Sequence, residues 1–201
     1  KHRDKLADAL VEGIRDYFQV GVLGYGNSVG SAFGGALAGR DLVMVSEIGN
    51  NPARVEDRTR EREDGVGGIL REQIKLPVWV DPVASGGTPM CAAFSRAKDI
   101  LTSWVQQNSA SYPPVVINIT DGEATDGDPV AGAETLRGLY TNDGQVLLLN
   151  AHLSSNPSTP TIFPNSDATL PDQFARTLFK MSSELTPAMR TAAQSEGLPA
   201  S

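Results

Sequence analysis

The run Val115-Val116-Ile117-Asn118-Ile119-Thr120, ending in Asp121-Gly122, constrains the fold of this chain more than any other segment. A short stretch dominated by β-branched residues that stops abruptly at Thr-Asp-Gly predicts a buried parallel strand. Such a strand delivers one carboxylate, Asp121, to the rim of a sheet. In open α/β sheets, ligand sites gather at the carboxyl ends of strands. Asp121 is therefore the first candidate functional residue.

The segments around this strand support an alternating architecture. Before it, Met90, Ala93, Phe94, Ala97, Ile100, Leu101, Trp104 and Val105 follow the i, i+3, i+4, i+7 pattern, which predicts a helix over 89–106 with Pro89 at its first position. After it, Asp128-Pro129 opens a second helix, with Val130, Ala133, Leu136 and Leu139 on one face. Asn142-Asp143-Gly144 turns the chain into a strand over 145–151, and Pro171 precedes a helix marked by Leu170, Phe174 and Leu178. A last helical piece lies around 186–195. Strands alternating with helices imply βαβ units and a mostly parallel sheet covered by helices.

The first part of the chain reads differently. Leu6, Ala9, Leu10 and Ile14 fit a short amphipathic helix, and 18–25 fits a strand. Residues 26–80 read as a β-rich insertion, with short strand-like pieces at 41–45 and 73–80. Within it, 54–64 holds four Arg against five Asp or Glu, which predicts a nearly neutral, solvated segment rather than a basic patch. Trp79, flanked by Val78 and Val80, is expected to anchor this insertion by packing in a core. The 201 residues are taken as a single domain carrying that insertion.

A net charge of −7 argues against nucleic acid or an anionic membrane as the partner. No apolar run approaches a membrane span. Cys91 is the only cysteine, so no internal disulfide forms and a cytoplasmic setting is expected. One Cys and two His also make a structural zinc site of the usual kind a poor fit.

Between Asp99 and Glu134 there are six acids, and no Lys or Arg occurs until Arg137. Uncompensated carboxylates suit hard cations such as Mg²⁺ and Ca²⁺. The EF-hand pattern fails, because Asp126 stands where that loop needs Gly. Asp128 reads as a helix cap. Thr88 has two readings: the N-cap of the 89–106 helix, or a hydroxyl ligand directed at the rim that holds Asp121.

Gly86-Gly87-Thr88-Pro89, then a helix, then Thr120-Asp121-Gly122, resembles the von Willebrand factor type A (vWA) domain over roughly 5–195. The resemblance implies a doubly wound sheet, mostly parallel, flanked by helices. It implies a metal-ion-dependent adhesion site in which Mg²⁺, or Mn²⁺ or Ca²⁺, is held at the carboxyl edge. Thr88 then matches the second-loop hydroxyl ligand, and Asp121 the third-loop carboxylate. The family's first-loop Asp-x-Ser-x-Ser motif is absent from this sequence. On the family pattern the chain lacks the first and last strands, so this fragment need not retain the ion. The implied activity is recognition of a protein partner's acidic side chain, as a bacterial, cytoplasmic binding module within a multi-protein assembly and not as an enzyme. The insertion is a candidate to tune partner choice.

Two other readings stay open. Gly24, Gly26 and Gly30 follow a strand with spacing that resembles a dinucleotide-binding loop, the mark of an oxidoreductase. Residues 31–39 form a poor helix, however, and a Gly-rich turn entering a β-hairpin fits as well. Asp121 also suits a metal-dependent phosphoryl hydrolase, with His152 as a general base. That reading lacks a nearby cation for phosphate, and neither Ser85, Ser154 nor Ser155 sits in a nucleophile elbow.

Overall fold

The computed structural model describes residues 14–63, 65, 67–81, 86–154 and 160–199. The helix expected from Leu6 to Ile14 lies almost wholly outside the described residues, as do Ser85 and Ser155. The chain divides into two compact units, Lys1–Ser85 and Gly86–Ser201.

In the N-terminal unit, strand β1 (Gln19–Val20) pairs antiparallel with β4 (Val43–Met44). Strands β2 (Leu23–Tyr25) and β3 (Val29–Ser31) form a tight hairpin. The single strand expected over 18–25 is thus two strands in two sheets. Phe33, Leu37 and Val43 are buried, with Val20, Val22, Ile48, Trp79 and Val80 packed against them. Trp79 has the core role expected of it, and its indole Nε1 donates to the Ile48 carbonyl at 2.6 Å.

The strand expected at 41–45 shrinks to β4, because the chain turns into helix α1 (Val45–Asn50). The cause is remote from the segment itself. Asp16 accepts from the Ser46 amide at 2.8 Å and the Ser46 hydroxyl at 2.7 Å. Glu47 reaches back to the Met44 amide at 2.9 Å. Together they satisfy donors that a first helical turn leaves open.

The charged segment is solvated, as expected, and regular. It forms strand β5 (Arg54–Glu63), paired along its length with β6 (Ile69–Val78). The piece expected at 73–80 therefore begins four residues earlier than the sequence suggests. A bridge between Phe33 and Val80 roots this long hairpin in the small core.

The C-terminal unit is mixed α/β. Helix α2 (Met90–Gln107) precedes β7 (Val115–Thr120), then α3 (Val130–Arg137), the small hairpin β8 (Tyr140–Thr141) and β9 (Gly144–Gln145), and β10 (Leu147–His152). Helices α4 (Gln173–Met181) and α5 (Pro187–Ser195) follow. Pro89 sits at the N-cap of α2, one position before the place expected. Strands β7 and β10 pair in parallel from Val115↔Leu147 to Thr120↔His152, with α3 in the crossover. This is the βαβ unit that the strand–helix alternation predicts. Among the described residues each sheet has two strands, so the established architecture is mixed α/β with small sheets.

One face of the β7–β10 pair is packed. Met90, Phe94, Ala133, Leu136, Val146, Leu148, Leu178 and Met181 form its core. On the other face Val115, Ile117 and Ile119 are 42%, 64% and 58% exposed. Asn118 is buried in the packed face, and its Nδ2 donates to Asn150 Oδ1 at 2.9 Å. Asn150 Nδ2 donates in turn to the Leu178 carbonyl at 3.1 Å and the Ser182 hydroxyl at 3.0 Å. This polar chain fixes β7, β10 and the end of α4 to one another, as fully partnered buried amides do.

Candidate functional site

At the carboxyl end of β7 the backbone turns sharply. Thr120 is buried, and its Oγ1 accepts from the Gly122 amide at 3.1 Å. Gly122 has φ +91°, a conformation that side-chain-bearing residues rarely adopt. A Cβ there would stand 2.7 Å from Phe174 Cβ and 3.3 Å from His152 Nε2. The turn leaves Asp121 exposed at the rim. Its Oδ1 accepts from the Glu123 amide at 3.4 Å, and its carbonyl lies 2.8 Å from His152 Nε2. A carbonyl only accepts, so His152 Nε2 carries the proton and donates it here. His152 thus holds the backbone of Asp121 from the end of the neighbouring strand.

The loop bearing Thr88 is fastened to the loop that follows Asp121. The Thr88 amide donates to Thr125 Oγ1 at 2.9 Å, and the Thr125 amide donates to the Thr88 carbonyl at 3.0 Å. A Cβ on Gly87 would meet Thr125 Oγ1 at 2.5 Å, so only glycine permits this approach. Asp126 completes the junction. Its carboxylate accepts from the Cys91 amide at 3.0 Å and the Ala92 amide at 2.9 Å, and so caps α2 from another loop.

This corrects the capping reading of Thr88. No side chain at the N-cap position supplies the cap, and Asp126 takes the amides instead. Asp128 makes a capping contact, accepting from the Val130 amide at 3.0 Å, but from one position before the N-cap, which is Pro129 and not Asp128 as expected.

The electrostatics of the junction follow from its contacts. Burial pushes the Asp126 carboxyl up, but hydrogen bonds from Ala92 and Cys91 outweigh it and hold the group below the ordinary carboxylate range. The cap is therefore fully charged at neutral pH and is lost as the pH falls through that lowered value. The Cys91 thiol is pushed up, first by burial and then by Asp126 and Asp128. It stays protonated near neutral pH and has none of the thiolate character of a nucleophile.

A cleft of about 380 Å³ opens beside Asp121, lined by Asp121, Glu123, His152, Leu153, Ser154, Asp172 and Phe174. Asp172 is already engaged as the N-cap of α4, accepting from the Ala175 amide at 2.8 Å. Three carboxylates line the cleft, and among the described residues lining it there is no Lys or Arg. Such a wall repels phosphate groups. Among the described residues, no group of three or more His, Cys, Asp or Glu side chains converges to hold a metal. Any cation at the rim would draw on hydroxyl, carbonyl and water oxygens as well.

Gly24, Gly26 and Gly30 do not build a phosphate cradle. Gly24 pairs with Gly30 across the β2–β3 hairpin, and a 3-10 turn at Gly35–Leu37 follows where a dinucleotide loop requires a helix. The chain here takes the hairpin conformation that the sequence also allowed.

Thr125, Asp126 and the His152–Asp121 contact were not legible as site components. Asp126 was visible only as one acid in an acidic run, and Thr125 carries no motif of its own. No family model, curated protein or solved structure matches this chain.

Proposed function

We propose that this chain is a cation-dependent protein-binding module of the vWA kind. Thr88 and Asp121 would hold Mg²⁺, or Mn²⁺ or Ca²⁺, at the carboxyl edge of a doubly wound sheet, and an acidic side chain of a protein partner would complete the coordination. The observation that carries this reading is the fastening of the Thr88 loop to the loop after Asp121, through Thr125 and Asp126. With Asp126 capping α2, the Thr88 hydroxyl is not needed there. Hydroxyl and carboxylate are the oxygen donors a hard cation takes.

The exposed row Val115, Ile117 and Ile119 supports the architectural half of the proposal. Parallel strands are ordinarily covered on both faces, and a doubly wound sheet would cover this row with further elements. A binding role is favoured over phosphoryl transfer because the cleft beside Asp121 is acidic and none of its described lining residues is Lys or Arg.

Thermal unfolding tests the reading. Mg²⁺ or Mn²⁺ at millimolar concentration is expected to raise the midpoint of the wild-type chain, as any ligand selective for the folded state does. Asp121→Ala should lose that increment while unfolding near the wild-type temperature without metal, since Asp121 is exposed and its side chain accepts one long hydrogen bond. An equal increment in the variant, or protection by NAD instead of metal, contradicts the proposal.

A further inference from the structure

The β5–β6 hairpin sorts a nearly neutral sequence into two faces of different character. Side chains alternate along a strand, and residues opposite one another in an antiparallel pair share a face. On one face Asp57 lies opposite Lys75, Thr59 opposite Gln73 and Glu61 opposite Arg71. All three pairs close: Lys75 Nζ–Asp57 Oδ1 is 2.5 Å, Gln73 Nε2–Thr59 Oγ1 is 2.9 Å and Arg71 Nε–Glu61 Oε1 is 2.9 Å. Apolar residues occur on this face only near its ends, at Val55, Pro77 and Ile69. Its polar pairs satisfy one another, and Val55 and Ile69 stand exposed at its two ends.

The other face is not self-satisfied. Arg54, Arg58, Arg60 and Arg62 line β5, with Glu56 among them. Opposite stand Leu70, Ile74, Leu76 and Val78 of β6, interrupted by Glu72. Glu56 is shared by Arg54 and Arg58, and Arg54 also pairs with Asp81. Among the described residues, Arg60 and Arg62 form no ion pair. Leu70 and Leu76 are 49% and 42% exposed. A guanidinium row thus runs beside an aliphatic row along a hairpin that a two-stranded pairing alone stabilises poorly.

We infer that this face docks an extended acidic segment of a protein partner, in which carboxylates alternate with aliphatic side chains. Arg58, Arg60 and Arg62 recur at about 6.7 Å, the two-residue repeat of any extended chain. A segment lying along the hairpin sends alternate side chains to opposite sides, acids toward β5 and aliphatics toward β6. Guanidinium–carboxylate pairing and aliphatic burial then occur together. A second copy of this chain is a poor occupant through the β5 edge, because four of the five β5 residues on this face are arginines and pairing two such edges sets arginines against one another. Phosphate polymers and anionic bilayers are also poorer occupants. The face carries only two net positive charges, on a chain of net charge −7. The inference does not depend on the metal reading.

The test uses the full chain and a labelled synthetic peptide of alternating Glu and Leu or Val, read by fluorescence anisotropy. The expected result is salt-sensitive binding that persists in EDTA. Combined Arg58→Glu, Arg60→Glu and Arg62→Glu should weaken it about tenfold or more, on the scale of three lost ion pairs. Leu70→Ser should weaken it several-fold, while Glu63→Gln on the closed face stays within about twofold. A peptide of the same composition with acids and aliphatics in separate blocks should bind less well. The inference is overturned if the triple arginine variant binds as the wild type does, if the block peptide binds equally, if EDTA abolishes binding, or if no peptide binds. Tighter association with phosphatidylserine vesicles or duplex DNA than with peptide also overturns it.

Discussion

Gly122→Ala is expected to destabilise the C-terminal unit by about 2–4 kcal/mol, the sum of a left-handed backbone penalty and an overpacked contact. Gly122 has φ +91°, so any side chain is strained before packing is considered. The new Cβ would then stand 2.7 Å from Phe174 Cβ, an atom fixed to the α4 backbone and unable to swing away. Relief requires α4 or the Asp121 turn to move, and movement of the turn strains the 2.8 Å contact between His152 and the Asp121 carbonyl. The change should therefore act twice, on urea stability and on the metal-dependent thermal increment. A loss below about 0.5 kcal/mol, the range of ordinary surface substitutions, would show that the turn is not built as described.

Leu136→Ala should cost about 2–5 kcal/mol, the span observed for truncating a fully buried leucine. Leu136 is completely buried, and it shares a core with Met90, Phe94, Val146, Leu148, Leu178 and Met181. These residues come from α2, α3, α4, β10 and the residue just before it, so a cavity here loosens every element that packs on the inner face of the sheet. Leu136→Met keeps the volume and should cost less than about 1.5 kcal/mol. Near-equal costs for the two substitutions, measured by denaturation followed at a C-terminal-unit probe, would contradict a tightly packed core at this position.

The parts of the fold carried by local pattern were legible in the sequence. The α2 stripe, the β7 run, the Asp-Pro start of α3 and the Asn-Asp-Gly turn each depend on neighbours within a few residues. The parts set by distant partners were not. Helix α1 begins where it does because Asp16 reaches Ser46 across 30 positions. The cap of α2 comes from Asp126, 34 and 35 residues downstream of the amides it accepts. Its partner loop is held by Thr125, a residue with no motif. The charged segment is solvated, as expected, but its sorting into two faces was not legible, for a different reason. Net charge over 54–64 is close to zero, and only the two-residue period of a strand separates its arginines from its acids. The two candidate ligands were visible because Thr-Pro and Thr-Asp-Gly are short local signals. The junction that fastens their loops to each other is tertiary.

Paramagnetic Mn²⁺ added to the isotope-labelled chain probes the rim itself. Substoichiometric Mn²⁺ is expected to broaden amide signals around Thr88, Asp121, Gly122 and Thr125 first, and Asp121→Ala to remove the effect. Broadening confined to other acidic positions, such as Asp57 and Glu61 of the hairpin, or none at the rim at all, would contradict the proposed cation site.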